Sequence, residues 1–149
     1  MVLIPTNPVA YRSNDTAYPY RANSYMLYLC GWDEPEAVLM AHQEEAEWVT
    51  TLFVQPRDTK VELWEGRRVG TEGAAVGWPV DRARSLVDFS DCVSELLDVC
   101  ESVYHLPDLN SELDELVSRA QDVELADPTP TLDDLRVIKS DAEVALIQQ

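Results

Sequence analysis

The chain has 149 residues, 46% of them hydrophobic, which suits one domain with one real core and is too apolar for disorder. Asp and Glu number 28 against 11 Lys and Arg, leaving a formal net charge of −17. A field of that sign repels phosphate backbones and anionic lipid, so no nucleic acid and no membrane surface is expected as a partner.

Lysine stands only at Lys60 and Lys139, a skew shared by salt-adapted surfaces and by many ordinary acidic proteins. Cys30, Cys92 and Cys100 form no C-x-x-C pair and each has apolar neighbours. Buried small hydrophobes in a reducing, cytoplasmic setting are expected. No apolar run approaches 18 residues, and no charged segment followed by an apolar one opens the chain.

In chain order, Val2-Leu3-Ile4 before Pro5 predicts a buried strand. Residues 25–29 (YMLYL) read as a second strand, with Gly31 and Glu34-Pro35 turning the chain. Residues 37–42 and 48–54 read as a hairpin about the solvated acidic turn 43–47, so a three-strand meander is expected. Lys60–Gly66 predicts a short helix ending at Gly66. Val93, Leu96, Leu97 and Cys100 form one helical stripe behind the possible cap Ser90. Residues 103–106 read as a strand, and Leu109, Leu113, Leu116, Val117 and Ala120 line a further helix. This alternation predicts an α/β domain over 1–149. After the Pro-rich break at 126–131, residues 131–138 predict a helix, and Ser140 to Glu143 has capping-box spacing. Residues 128–149 thus read as the start of a linker and helix. The last helix has no stop signal before Gln149, so an element cut short is expected there, and one missing before Met1.

The chemistry-bearing residues are few. His42 and His105 lie in no metal-ligand spacing and read as strand-end histidines near the surface. There is no G-x-S-x-G, no phosphate loop and no Cys/His dyad, so no catalytic residue and no metal ligand is predicted. Asp15 with Tyr18, Tyr20 and Arg21 forms either a polar aromatic wall or a capped loop with Arg21 paired to a carboxylate. Trp64, before Gly66-Arg67-Arg68, is either an outward anchor or a core residue.

Taken together, Arg12-x-x-Asp15-x-x-Tyr18-Pro19-Tyr20-Arg21-x-Asn23-Ser24, Tyr28-Leu29-x-Gly31-x-x-Glu34-Pro35-x-Ala37 and Glu62-Leu63-Trp64-x-Gly66-Arg67-Arg68-x-Gly70 resemble the N-terminal domain of aminopeptidase P. That enzyme is the Xaa-Pro aminopeptidase of the creatinase and prolidase family. Leu135-Arg136-x-Ile138-Lys139-Ser140-x-x-Glu143-x-x-x-Ile147 resembles the segment leading into its catalytic domain. The resemblance implies a ribonuclease H-like α/β fold, a mixed β-sheet flanked by helices. It also implies a following catalytic domain in which two Asp, one His and two Glu bind two Mn(II) ions, none of these ligands mapping onto this chain. The fragment alone is therefore expected to be inactive and to carry no cofactor, while the parent cleaves after an N-terminal residue that precedes proline.

By position in the family, Asp15 and Trp64 match substrate-gating residues, and Arg12, Tyr18, Tyr20, Arg21, Arg67 and Arg68 match motif or interface residues. Arg119 stands in the region of a family arginine that pairs near Asp15. The implied partners are the chain's own C-terminal catalytic domain, further copies in a dimer or tetramer, and proline-containing peptides. Alternatives from the residues are the related Xaa-Pro dipeptidase and a stand-alone peptide- or protein-binding module; Leu63 to Arg68 favours the aminopeptidase.

Overall fold

The computed structural model describes residues 1–148. Its centre is a six-stranded mixed sheet in the order β6-β5-β4-β1-β7-β8. Strand β1 (Val2–Pro5) pairs antiparallel with β4 (Val38–Glu44), which turns into β5 (Glu47–Val54). The turn is Glu45-Ala46, both at positive φ (53° and 89°), a conformation that suits the twist of a two-residue hairpin. The edges are built by parallel additions: β6 (Arg82–Ser85) on β5, β7 (Ser102–His105) on β1, and β8 (Glu124–Ala126) on β7.

Side chains of a strand alternate between faces, and here both faces are apolar because helices cover both. Ile4, Leu39, Leu52 and Val54 pack with Met26 of α1 (Ser24–Leu29), Ala74 of α3 (Gly70–Gly77), Leu132 of α6 (Thr129–Val137) and the loop residue Trp32. Leu3, Val38, Met40, Phe53 and Val103 face the other way, against Phe89, Val93 and Leu97 of α4 (Phe89–Leu97) and Leu113 and Val117 of α5 (Ser111–Arg119). Each such fully buried large side chain stabilises the fold by about 1.5–3 kcal/mol. The expected fold class, an α/β domain whose mixed sheet is flanked by helices, is the observed one.

Several local expectations are corrected. Residues 25–29 are helical, not a strand: Asn23 caps α1 by accepting the Met26 N–H at 2.8 Å, and Met26 and Cys30, one turn apart, both enter the core. The antiparallel meander survives with β1 in the place of 25–29. Helix α4 starts after Asp88, because a 3-10 turn at Leu86–Asp88 runs directly into it. Ser90 lies inside the first turn and bonds Glu112 instead. The Ser140–Glu143 capping box is present and starts α7 (Asp141–Ile147). The cysteines are all free; burial raises the Cys30 thiol above its usual pKa. No helix among the described residues is long and apolar enough to cross a membrane.

Candidate functional site

The residues singled out in the sequence fall into two groups on the surface. The first is a small hairpin, β2 (Tyr11–Ser13) with β3 (Thr16–Ala17), and the stretch that returns from it to α1. Arg12, Asp15 and Tyr18 are all exposed there. Asp15 accepts hydrogen bonds from the hydroxyls of Ser13 and Thr16, both at 3.3 Å, which is the local chemistry of a carboxylate in a tight turn. Among the described residues no arginine pairs with it: Arg21 donates to the Ala22 carbonyl, and Arg119 pairs with Glu115 on its own helix. The alternative of Arg21 paired to a carboxylate is thereby corrected. Tyr20 is half-buried, donates to the Asn7 carbonyl at 3.2 Å, and has its phenol pKa raised chiefly by burial.

The second group lies between β5 and α3. Helix α2 (Glu62–Glu65) has four residues, and Leu63 and Trp64 on it are 82% and 92% exposed. Trp64 is therefore no core residue of this chain. A helix of one turn is not stable by itself, and this one is held by its flanks. Asp58 accepts the Lys60 N–H at 2.8 Å and the Val61 N–H at 3.3 Å. Arg57 grips both carboxylate oxygens of Glu62, at 3.2 and 3.3 Å, and Arg68 donates to Glu65 at 2.8 Å. Gly66, at φ 94°, lets the chain leave the helix. Arg67 is exposed and points to no ion partner among the described residues.

Beneath this turn sits Glu34, which in the sequence marks a turn and stands in the second family motif without any predicted role. Glu34 accepts the Val69 N–H with both oxygens, at 3.0 and 3.3 Å, just before α3. Burial raises its pKa, while that hydrogen bond and nearby Arg68 pull the other way. The turn and the motif single out Glu34 in the sequence, but not its partner, which lies 35 positions away.

The histidines do not assemble a metal set. His42 is buried rather than near the surface, because it points with Met40 to the α4 side of the sheet; its Nε2 lies 3.0 Å from Glu44. Glu44 in turn takes both Arg82 nitrogens at 2.6 and 2.7 Å, and Arg82 lowers its pKa. His105 lies 3.6 Å from Asp114, at the opposite side of β1. Among the described residues no three His, Cys, Asp or Glu side chains are grouped to hold a metal ion. They do not fit the two Mn(II) ions that the resemblance implies for the catalytic domain.

Comparison with known proteins decides the family. The family model for the aminopeptidase P N-terminal domain matches residues 1–106. The chain belongs to that family. It is 37% identical over 140 residues to a Xaa-Pro aminopeptidase of Haemophilus influenzae, covering 93% of this chain and 33% of that protein. Among solved structures, proline aminopeptidase P II from Yersinia pestis superposes with a TM-score of 0.84 at 34% identity, over 97% of this chain and 36% of that one. Aminopeptidase P from Escherichia coli with the inhibitor Pro-Leu superposes at 0.86 and 31% identity, again over 97% and 36%. The chain thus spans about a third of the length of these aminopeptidase P relatives.

Proposed function

We propose that this chain is the N-terminal domain of a metal-dependent Xaa-Pro aminopeptidase, that it gates the peptide site and that it mediates oligomer contacts, without reacting residues of its own. The hydrolysis belongs in this reading to a C-terminal catalytic domain carrying the two Mn(II) ions. The observation that carries the reading is Trp64: the largest apolar side chain type stands 92% exposed on a turn whose flanking residues are tied down by three carboxylates. An aromatic held rigid and outward suits an anchor into another protein surface or a substrate channel, because little freedom remains to be lost on contact. Asp15 offers a carboxylate on a hairpin tip, a reach that suits a channel rim and the free amine of a peptide.

A second surface supports attachment to the catalytic domain. Leu135, Val137 and Ile138 at the end of α6, with Leu146 and Ile147 on α7, are more than half exposed and concentrate apolar area on the last two helices. The relatives are Xaa-Pro aminopeptidases, and peptides with proline in second place are accordingly the substrate class assigned to the parent enzyme in this reading.

The test is kinetic. In the full-length enzyme Trp64→Ala should lower kcat/KM for a Xaa-Pro-Xaa peptide at least about tenfold with the subunits still folded. Wild-type kcat/KM in that variant would contradict the gating role.

A further inference from the structure

We propose that Glu34 is a positioning residue for Trp64, its carboxylate fixing the base of the α2 turn from the loop that follows α1. The inference rests on the reading of Trp64 as an outward anchor. Its ground is the set of ties between residues 34–36 and the segment 55–70. Glu34 takes the Val69 N–H with both oxygens, and Glu36 accepts the Gln55 amide at 2.7 Å. Gln55 and the Pro56 carbonyl lie within 3.5 and 3.4 Å of Arg68, whose other nitrogen holds Glu65, the residue next to Trp64. Arg57 binds Glu62 from the opposite flank and packs on Gly70, where any Cβ would come within 2.5 Å of the Arg57 side chain. The two strands of the chain that enter and leave the α2 turn are therefore fixed to one another, and Glu34 fixes the outgoing one to the body of the domain.

These ties leave the two largest apolar side chains of the turn uncovered, Leu63 and Trp64 both remaining exposed while Val61 is half-buried. Burial of Leu63 and Trp64 therefore does not order the one-turn helix; the polar ties at its flanks hold it with Trp64 outward. Fixing the peptide in advance lowers the entropy lost when the indole is inserted elsewhere.

The experiment measures backbone ¹⁵N order parameters in the 149-residue chain and in its Glu34→Ala and Glu34→Gln variants. In the wild type, Val61 to Gly66 should sit near the rigid value of about 0.85; in Glu34→Ala they should fall toward about 0.6, while Leu39 and Leu52 stay rigid. Glu34→Gln keeps one carbonyl acceptor for the Val69 N–H and should restore most of the difference. Unchanged order at 61–66 in Glu34→Ala, or an equal loss throughout the sheet, would overturn the proposal. The two readings fail separately: full activity of Trp64→Ala in the complete enzyme removes the anchor, and a rigid turn in Glu34→Ala removes the positioning.

Discussion

Trp32 and Trp78 meet edge to face with ring centroids 4.8 Å apart, and the Trp78 indole donates to the Gly31 carbonyl at 3.2 Å. One ring follows α1 and the other ends α3, so the pair joins the loop that carries Glu34 to the helix that Glu34 caps. Trp32 is 1% exposed. Trp32→Ala should therefore lower stability by about 3–5 kcal/mol, through a large cavity between two elements. Trp64→Ala in the same chain should cost under about 1 kcal/mol, as surface truncations do. Urea unfolding of both variants checks the contrast, which a comparable loss in the two would contradict.

The acid limb of stability has a defined sign. Glu44, Glu62 and Asp81 have lowered pKa values because they accept from Arg82, from Arg57 and from Thr50 respectively. Groups depressed in the folded state stabilise it above their unfolded values, 4.5 for Glu and 3.8 for Asp, and lose that contribution as pH falls through the folded values. Thermal midpoints should consequently hold from pH 7 to about 5 and fall below about 4.5. Arg82→Ala, which removes the Glu44 partner, should lower the neutral plateau and make the acid decline shallower.

Glu34 has the opposite sign. Burial raises its pKa, so its ionised form is disfavoured in the fold and its protonation favours folding as pH falls toward 4.5. Glu34→Gln should leave the thermal midpoint at pH 7 unchanged or raised. A clear drop at pH 7 would mean that the ionised carboxylate contributes more to global stability than its desolvation costs.

How far the sequence led depends on what each element asks of its neighbours. The stripes of α4 and α5 were legible because Val93, Leu97, Leu113 and Val117 repeat at helical spacing and are the residues buried. So were the hairpin of β4 and β5 and the Ser140 cap, both local patterns. Residues 25–29 misled because Tyr, Leu and Met suit either state; what decides for helix is Asn23, whose side chain caps α1 and also donates to the Pro5 carbonyl at 2.6 Å. Helix α3, with three of its eight residues Gly, and β6, read as RARS, carry no periodic signal at all; tertiary pairing alone forms them. At the site, Asp15 and Trp64 stood out through the family motifs, but nothing local joined Glu34 to Val69 or Arg57 to the close approach at Gly70.

Salt should stabilise the fold. The net charge is −17, and nearly all the acidic groups lie at the surface, so self-repulsion opposes compaction in dilute buffer. Screening shortens its range to about 10 Å at 0.1 M and about 3 Å at 1 M. The thermal midpoint should rise steadily with NaCl, and a flat or falling profile would show that repulsion is not limiting.

The central claim is that Trp64 acts beyond its own subunit, and side-chain labelling of that indole tests it most directly. Oxidative footprinting should modify Trp64 freely in the 149-residue chain, where it is 92% exposed, and Trp32 hardly at all. In the assembled full-length enzyme Trp64 should become at least about fivefold less reactive, as burial in a contact requires, and a bound prolyl peptide should protect it further. Equal labelling of Trp64 in the isolated chain and in the assembled enzyme, with and without peptide, would contradict the account.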